Sequence, residues 1–383
     1  MKIHCLHLCN DFSGSMVHSN LYRSLACEID QTVFFPIRRE QQVKKAKDLA
    51  SSSSLELVCS RKLSPLHRVF FRRKVSYLLK DLTPLLHQEQ FDLVHATTLF
   101  SDGALAFKIF KAYKIPYIIT VRATDMNLFL KYRKDLYGLA REIIKNAQQL
   151  VFISEALKSS FIRHLPKLKL GQEVQDKGIV VPNGIDPFWL DNIVLKKTLD
   201  PERFNLVYIG KFNENKNVLS LIKAVSDLRD KIPNLRLDLI GGGGSEEKEV
   251  LKLVQQLDYL SYQGAIYEKD HLKDRLRSAD VFIMVSKSET FGLVYIEALT
   301  QGLPVIYTKN EGVDGMFDFD IGAHANAFSV ASIAQAIHQV NKNYNDLDLT
   351  KINFKRFDWK EIRKVYLEIY QKAVGSHTSV SKQ

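Results

Sequence analysis

The chain has 383 residues, of which 45% are hydrophobic, 25% charged and 10% aromatic, enough for two or three domains of ~100–200 residues and too apolar for a disordered chain. No run approaches the ~20 apolar residues of a membrane-spanning helix, and the opening MKIHCLHLCND turns polar too soon for a signal peptide, so a cytoplasmic protein is expected. The net charge of +11 is one-sided: residues 1–183 hold 28 Lys+Arg against 16 Asp+Glu, a net of +12, whereas 184–383 hold 26 against 27.

In chain order, short apolar runs predict strands at Ile3–Leu8, Thr32–Pro36, Asp92–Ala96, Tyr117–Val121 and Gln149–Ile153. Amphipathic stretches between them predict helices at Val17–Glu28, Leu66–Leu86, Asp102–Ala112, Leu128–Asn146 and Glu155–Leu165. The alternation then repeats. Strands are expected at Phe204–Ile209, Leu235–Ile240, Val281–Val285 and Pro304–Thr308, with helices at Val218–Leu228, Glu246–Leu257, His271–Ser278 and Gly292–Gln301. Strand–helix alternation of this kind implies parallel sheets with helices on both faces. Between the two series, residues 186–203 are irregular and proline-bearing and read as a linker, giving domains at 1–185 and 204–356. Two doubly wound domains facing each other make a cleft, with ligands outside the carboxyl ends of the strands. The four cysteines, Cys5, Cys9, Cys27 and Cys59, have no metal-type spacing and read as buried free thiols.

From Leu57 to Lys80 there is no acidic residue, and Arg68, Arg72, Arg73 and Lys74 are interleaved with Val69, Phe70, Phe71 and Val75. The pattern fits a solvated helix face or an interfacial surface for anionic lipid; nucleic acid is not expected, since no nucleic-acid module accompanies the charge. The stretch ADVFIMVSKSETFGLVYIEALTQGLPVIYT, 279–308, places Glu289 in a turn and Glu297 eight residues on, inside a helix opening at Gly292. Backbone N–H groups of Phe291, Gly292 and Leu293 would face outward there, at the end of the helix dipole that favours anions. Spacing alone does not separate this from two surface glutamates.

That segment resembles the glutamate–seven residues–glutamate signature of retaining glycosyltransferases of family 4, which have the GT-B fold of two Rossmann-like domains. YIGKFNENKN (208–217), VPNGIDPF (181–188), LIGGGG (239–244), NDFSGSMVHSNL (10–21) and FDWKEIRKVYLEIY (357–370) are similar to further segments of that family in the same order. The last resembles a helix, about 357–375, that returns to the first domain. The resemblance implies transfer of a sugar, with retained anomeric configuration, from a nucleotide sugar (UDP is the commonest carrier) to a glycan or lipid-linked acceptor in cell-envelope or exopolysaccharide biosynthesis. The acceptor would bind the first domain and the donor the second. No metal or other cofactor is implied; the nucleotide sugar is a substrate.

By the same resemblance Lys211 and Lys216 neutralise the leaving diphosphate, beside the strand end at Gly210. Glu289 accepts hydroxyls of the donor sugar and Glu297 those of the ribose, while Gly14 lets a loop approach the donor phosphate. Lys211 stands where relatives usually carry arginine. The clearest departure is ITVRATDMN, 119–127: many relatives carry histidine where this chain has Arg122, too basic to be a general base. Arg122 is left to bind an anionic acceptor, to steady the pyrophosphate, or to pair structurally with Asp125, which keeps its place on the acceptor side. Rival readings are a catalytically silent acceptor-binding subunit of a glycosylation complex and a sugar-nucleotide epimerase.

Overall fold

The computed structural model describes residues 2–51, 55–165, 170–195, 198–200 and 202–380. They form two compact units, one of Met1–Ile153, Leu157–Gly184 and Trp359–Gln383, the other of Ser154–Ala156 and Ile185–Asp358.

The first unit is built on seven strands: β1 His4–Leu8, β2 Asp30–Phe35, β3 Glu56–Cys59, β4 Leu93–Ala96, β5 Tyr117–Thr120, β6 Gln149–Phe152 and β7 Gly178–Val180. Their order is β3-β2-β1-β4-β5-β6-β7, and all pairs are parallel. Central strands such as β4 and β5 are buried along their whole length, as expected where helices cover both faces. Helices α1 Met16–Leu25, α2 Gln41–Ala50, α3 Phe71–Gln88 and α4 Ser101–Tyr113 follow β1, β2, β3 and β4. The C-terminal helix Trp359–Val380 belongs to this unit: Trp359, Ile362, Tyr366, Ile369, Tyr370 and Ala373 recur at helical spacing and pack on the core of β1, β2 and α1. Its Tyr370 hydroxyl lies 2.7 Å from His95 Nδ1 on β4, and His95 Nε2 lies 2.9 Å from Thr120 Oγ1 on β5.

The second unit has β8 Phe204–Gly210, β9 Leu235–Gly241, β10 Leu260–Tyr262, β11 Val281–Ile283, β12 Val305–Thr308 and β13 Gly322–Ala325. These are also all parallel, in the order β10-β9-β8-β11-β12-β13. In both sheets the first strand sits centrally and the chain winds outward from it in both directions. The order therefore reverses between β1 and β4, and again between β8 and β11. Loops at such a switch point diverge and leave room for a ligand.

Three expectations change. The helix predicted over Leu66–Leu86 begins at Phe71, after a 3-10 turn at Pro65–Arg68. The helix predicted over Leu128–Asn146 is interrupted: a π-helical turn spans Asp125–Leu130, and the α-helix runs Tyr137–Asn146. The stretch 186–203 is not simply a linker. Asp186 caps a short helix, Pro187–Asp191, whose Trp189 is 2% exposed, so an aromatic side chain anchors the start of the segment in the second unit.

Candidate functional site

In the second unit the loops after β8 and β11 meet at the switch point and hold each other. The loop 211–217 follows Gly210; Lys211 is exposed, with its carbonyl accepting from Tyr208 Oη at 2.8 Å. Asn215 Nδ2 donates to the Ser288 carbonyl at 3.0 Å, and the Lys287 amide donates to the Asn215 carbonyl at 2.7 Å. Asn217, at φ 61°, sends its side-chain amide to the carbonyls of Val285 (3.1 Å) and Ala327 (2.7 Å), pinning the start of the next helix. These bonds bring Lys216 Nζ to 2.7 Å from Glu289 Oε2, with both side chains partly buried. A charge-assisted contact of that length holds both groups in a fixed orientation.

Glu289 is fixed further by a loop that no sequence motif singled out. Its amide donates to Glu311 Oε2 at 2.7 Å, and its carbonyl accepts the Gly312 amide at 2.7 Å. The sequence signal was the NEGVDG run at 310–315, where Gly312 and Gly315 both have positive φ. Gly292, at φ 72°, precedes the helix Leu293–Thr300; a Cβ there would also lie 2.5 Å from the Tyr295 ring. Among the described residues no side chain caps this helix; Phe291 is buried, at 2% exposure, while Gly292 and Leu293 are partly exposed.

Glu297 lies on the same helix, against the Pro187–Asp191 segment. Burial raises its carboxyl from 4.5 to about 7, with the negative charge of Asp186 adding to the rise; Lys269 and a hydrogen bond from Trp189 oppose it. Lys269 is itself paired with Asp186. None of these three partners was singled out from sequence, because they lie roughly 30–110 residues away along the chain.

In the first unit β1 ends in a 3-10 turn, Phe12–Gly14, and Ser15 caps α1 by accepting the Val17 amide at 3.3 Å. Gly14 is exposed, and a Cβ there would fall 2.1 Å from Asp11 Oδ1. Arg122 follows β5. Its amide donates to Asp125 Oδ2 at 2.9 Å, but among the described residues its guanidinium makes no ion pair with Asp125, and its buried Nε has no hydrogen-bond partner. The guanidinium charge reaches the surrounding polar groups. Burial holds His18 well below the usual histidine value and Arg122 adds to this, while Asp11, raised by burial, is drawn back by Arg122.

Two residues expected on the surface are elsewhere. Asp125 is fully buried and accepts the amides of Leu99 (3.0 Å), Phe100 (3.1 Å) and Arg122 (2.9 Å). It fastens the loop after β5 to the loop after β4 and presents no oxygen to an acceptor; burial raises its carboxyl to about 6. Lys74 is also buried. It shares a face of α3 with Phe71, Val75 and Leu78, and its Nζ donates to Ser101 Oγ at 2.9 Å. Arg68, Arg72 and Arg73 remain exposed, beside Leu66, Val69 and Phe70 at 64%, 67% and 46% exposure. The Arg73 guanidinium lies 5.1 Å from the Phe70 ring centroid.

Two family models match the chain: one described as Glycosyltransferase Family 4 over residues 29–188, the other as Glycosyl transferases group 1 over 191–355. The chain is 24% identical over 341 residues to a protein described as a putative teichuronic acid biosynthesis glycosyltransferase from Bacillus subtilis, covering 82% of this chain and 79% of that one. It is 26% identical over 313 residues to a D-inositol 3-phosphate glycosyltransferase of Pseudarthrobacter chlorophenolicus, covering 75% and 72%. Among solved structures, a sucrose-phosphate synthase from Thermosynechococcus elongatus superposes with a TM-score of 0.71 at 16% identity, covering 98% of this chain and 100% of that one. Together the matches support a glycosyltransferase with the GT-B fold.

Proposed function

We propose that this glycosyltransferase is a retaining enzyme of family 4, transferring a sugar from a nucleotide-sugar donor, a UDP-sugar foremost, to a glycan or lipid-linked acceptor in cell-envelope or exopolysaccharide synthesis. The observation that carries the donor assignment is the clamp at the β8/β11 switch point, where Lys216 and Glu289 from two loops are locked at 2.7 Å. A cation and a carboxylate fixed side by side suit a ligand that is anionic at one end and rich in hydroxyls at the other. Lys216 and the exposed Lys211 stabilise the diphosphate as its charge grows during bond breaking. Glu289 holds hydroxyls of the donor sugar, and Glu297, one and a half turns into the helix, holds those of the ribose.

Chemistry on this reading needs no enzyme nucleophile. The acceptor oxygen attacks on the face the leaving group departs from, and its proton passes to an oxygen of the leaving phosphate. The protein contributes positioning and charge stabilisation, and no metal or other cofactor is assigned. The unpartnered Nε of Arg122 supports a role for it in holding an anionic group in the first unit. The names of the two relatives, one acting in teichuronic acid synthesis and one on an inositol phosphate, fit an acceptor that bears negative charge. We place the enzyme in the cytoplasm, peripheral to the membrane; no helix among the described residues is long and apolar enough to cross one.

Thermal shift against a panel of UDP-, GDP- and ADP-sugars tests the donor class, since a ligand that binds only the folded state raises its apparent stability. Slow hydrolysis of the stabilising donor by the purified chain is the expected companion. Stabilisation without any hydrolysis or transfer would favour a silent binding subunit, and release of an altered sugar nucleotide an epimerase.

A further inference from the structure

The loops following β1 and β2, the start of α2 and the turn before α3 line an open recess of about 350 Å3 on the first unit. Four cations line it, Arg38, Arg39, Lys45 and Arg68, and no carboxylate does. Among the described residues none of the four side chains makes an ion pair. Burial pushes the half-buried Arg38 below the usual arginine range, and the charge of Arg68 pushes it the same way; Asp11 and Asp102 pull back more weakly. Like charges gathered at one recess, with Asp11 and Asp102 offsetting them only from outside its lining, attract an anion.

The recess is also braced. Gln42 Oε1 accepts the amides of Arg38 at 2.7 Å and Arg39 at 3.0 Å, and Gln42 Nε2 donates to Ser13 Oγ at 3.3 Å. That hydrogen bond ties the arginine loop to the 3-10 turn that contains Gly14. The volume exceeds what a bare phosphate ion fills and falls within the ~300–1,000 Å3 of small-molecule sites. Three guanidinium forks favour planar, two-point contact with phosphate oxygens over a diffuse attraction.

We propose that this recess binds a phosphate or diphosphate group carried by the acceptor, gripped chiefly by Arg38 and Arg68. The inference rests on reading the first unit as the acceptor unit. Its ligand is defined by the phosphate, whether the rest of the molecule is a soluble phosphorylated sugar or alcohol or a prenyl chain.

The test is calorimetry on the full-length chain with glycerol 3-phosphate, farnesyl monophosphate, glycerol and UDP. Both monophosphates should bind and glycerol should not. Arg38→Gln/Arg68→Gln should weaken both monophosphates more than tenfold while leaving UDP affinity within twofold. Lys211→Ala/Lys216→Ala should show the reverse. Equal affinity for the two monophosphates identifies phosphate as the whole determinant; farnesyl monophosphate binding more than tenfold tighter identifies a lipid-linked acceptor, and both results support the proposal. Unchanged monophosphate affinity in Arg38→Gln/Arg68→Gln overturns it, as does binding of anionic vesicles with no binding of either monophosphate. If that variant does not fold, Arg68→Gln alone, altering an exposed residue, is held to the same threshold. Failure of UDP to bind, with monophosphate binding intact, counts against the donor reading alone.

Discussion

Glu297→Gln separates the stability of the second unit from its proposed chemistry. Burial and the neighbouring Asp186 raise the Glu297 carboxyl from 4.5 to about 7 in the folded protein. Below pH 4.5 the group is protonated in both states and contributes no pH dependence. Between 4.5 and 7 the unfolded chain loses the proton while the folded chain keeps it, so stability falls as pH rises, and the full penalty stands above pH 7. A tenfold difference in proton affinity between the two states is worth about 1.4 kcal/mol, and with a discount for partial exposure the penalty is on the order of 2–3 kcal/mol. Glutamine cannot ionise, so Glu297→Gln should gain on the wild type by that amount from pH 4.5 to pH 8. At roughly 2–4 °C per kcal/mol for a domain of 150–250 residues, the difference in melting temperature should widen by about 4–12 °C. Scanning calorimetry at pH 4.5, 6, 7 and 8 reads it, following the transition of the second unit if the two units melt separately. A difference that stays constant across that range would refute the reasoning. The same variant should bind UDP more weakly, because ribose hydroxyls donate best to a carboxylate; in the wild type that affinity should fall as the pH drops below 7.

Lys211→Ala and Lys216→Ala should each weaken UDP binding tenfold or more with little effect on uridine, and equal losses for the two ligands in calorimetry would place the cations away from the phosphates. Glu289→Ala should reduce turnover more than nucleotide affinity, by two orders of magnitude or more in a transfer assay, and full activity would misplace the sugar subsite. Asp125→Ala leaves two buried amides and one partly buried amide unsatisfied and should destabilise the first unit by about 3 kcal/mol or more in urea unfolding, whereas Arg122→Gln should lower activity with an unfolding midpoint close to that of the wild type. Binding to anionic but not neutral vesicles should be salt-reversible and should drop when Arg72 and Arg73 become glutamine or Val69 and Phe70 become serine; Lys74→Gln should cost stability instead, and unchanged co-sedimentation in both surface variants would leave the exposed patch as ordinary surface.

What was legible in the sequence follows from how local each cause is. The central strands announced themselves because burial on both faces demands continuous apolar runs, as in Leu93–Ala96 and Tyr117–Thr120. The outer strands did not: β3 is half-exposed and β7 has three partly exposed residues, so neither carries a buried run. The Glu289 turn was readable because Gly292 and the apolar helix after it are adjacent in sequence. Its clamp by Glu311 and Gly312, and the burial of Glu297 beside Trp189, depend on tertiary approach. Asp125 misled for the same reason, since two of its three partners are amides of Leu99 and Phe100. Lys74 was a different error. Its spacing from Phe71, Val75 and Leu78 already puts it on the inward face of α3, and the density of charge around it hid the periodicity.

The two units use one architecture with opposite electrostatics. At the β8/β11 switch point two of the cations are paired, Lys216 with Glu289 and Lys287 with Glu214, while Lys211 is exposed. On the proposed reading, a ligand entering there would exchange contacts with groups partly neutralised already, which favours reading of hydroxyls and leaves the cations to respond as charge develops on a leaving diphosphate. Around the loops after β1, β2 and β5, among the described residues, Arg38, Arg39, Lys45 and Arg68 line a recess without a carboxylate and make no ion pair, Asp11 acting on Arg38 and Lys45 only at longer range, and the buried Nε of Arg122 has no hydrogen-bond partner. The excess of +12 in the first 183 residues is therefore concentrated, in part, where a ligand would sit. Stability alone gives no reason to gather unpaired arginines around a recess, since their mutual repulsion opposes folding. On the proposed reading, an acceptor that brings its own negative charge would balance these cations, and the asymmetry between the units would follow from a division of labour in which one side reads a sugar and the other holds an anion.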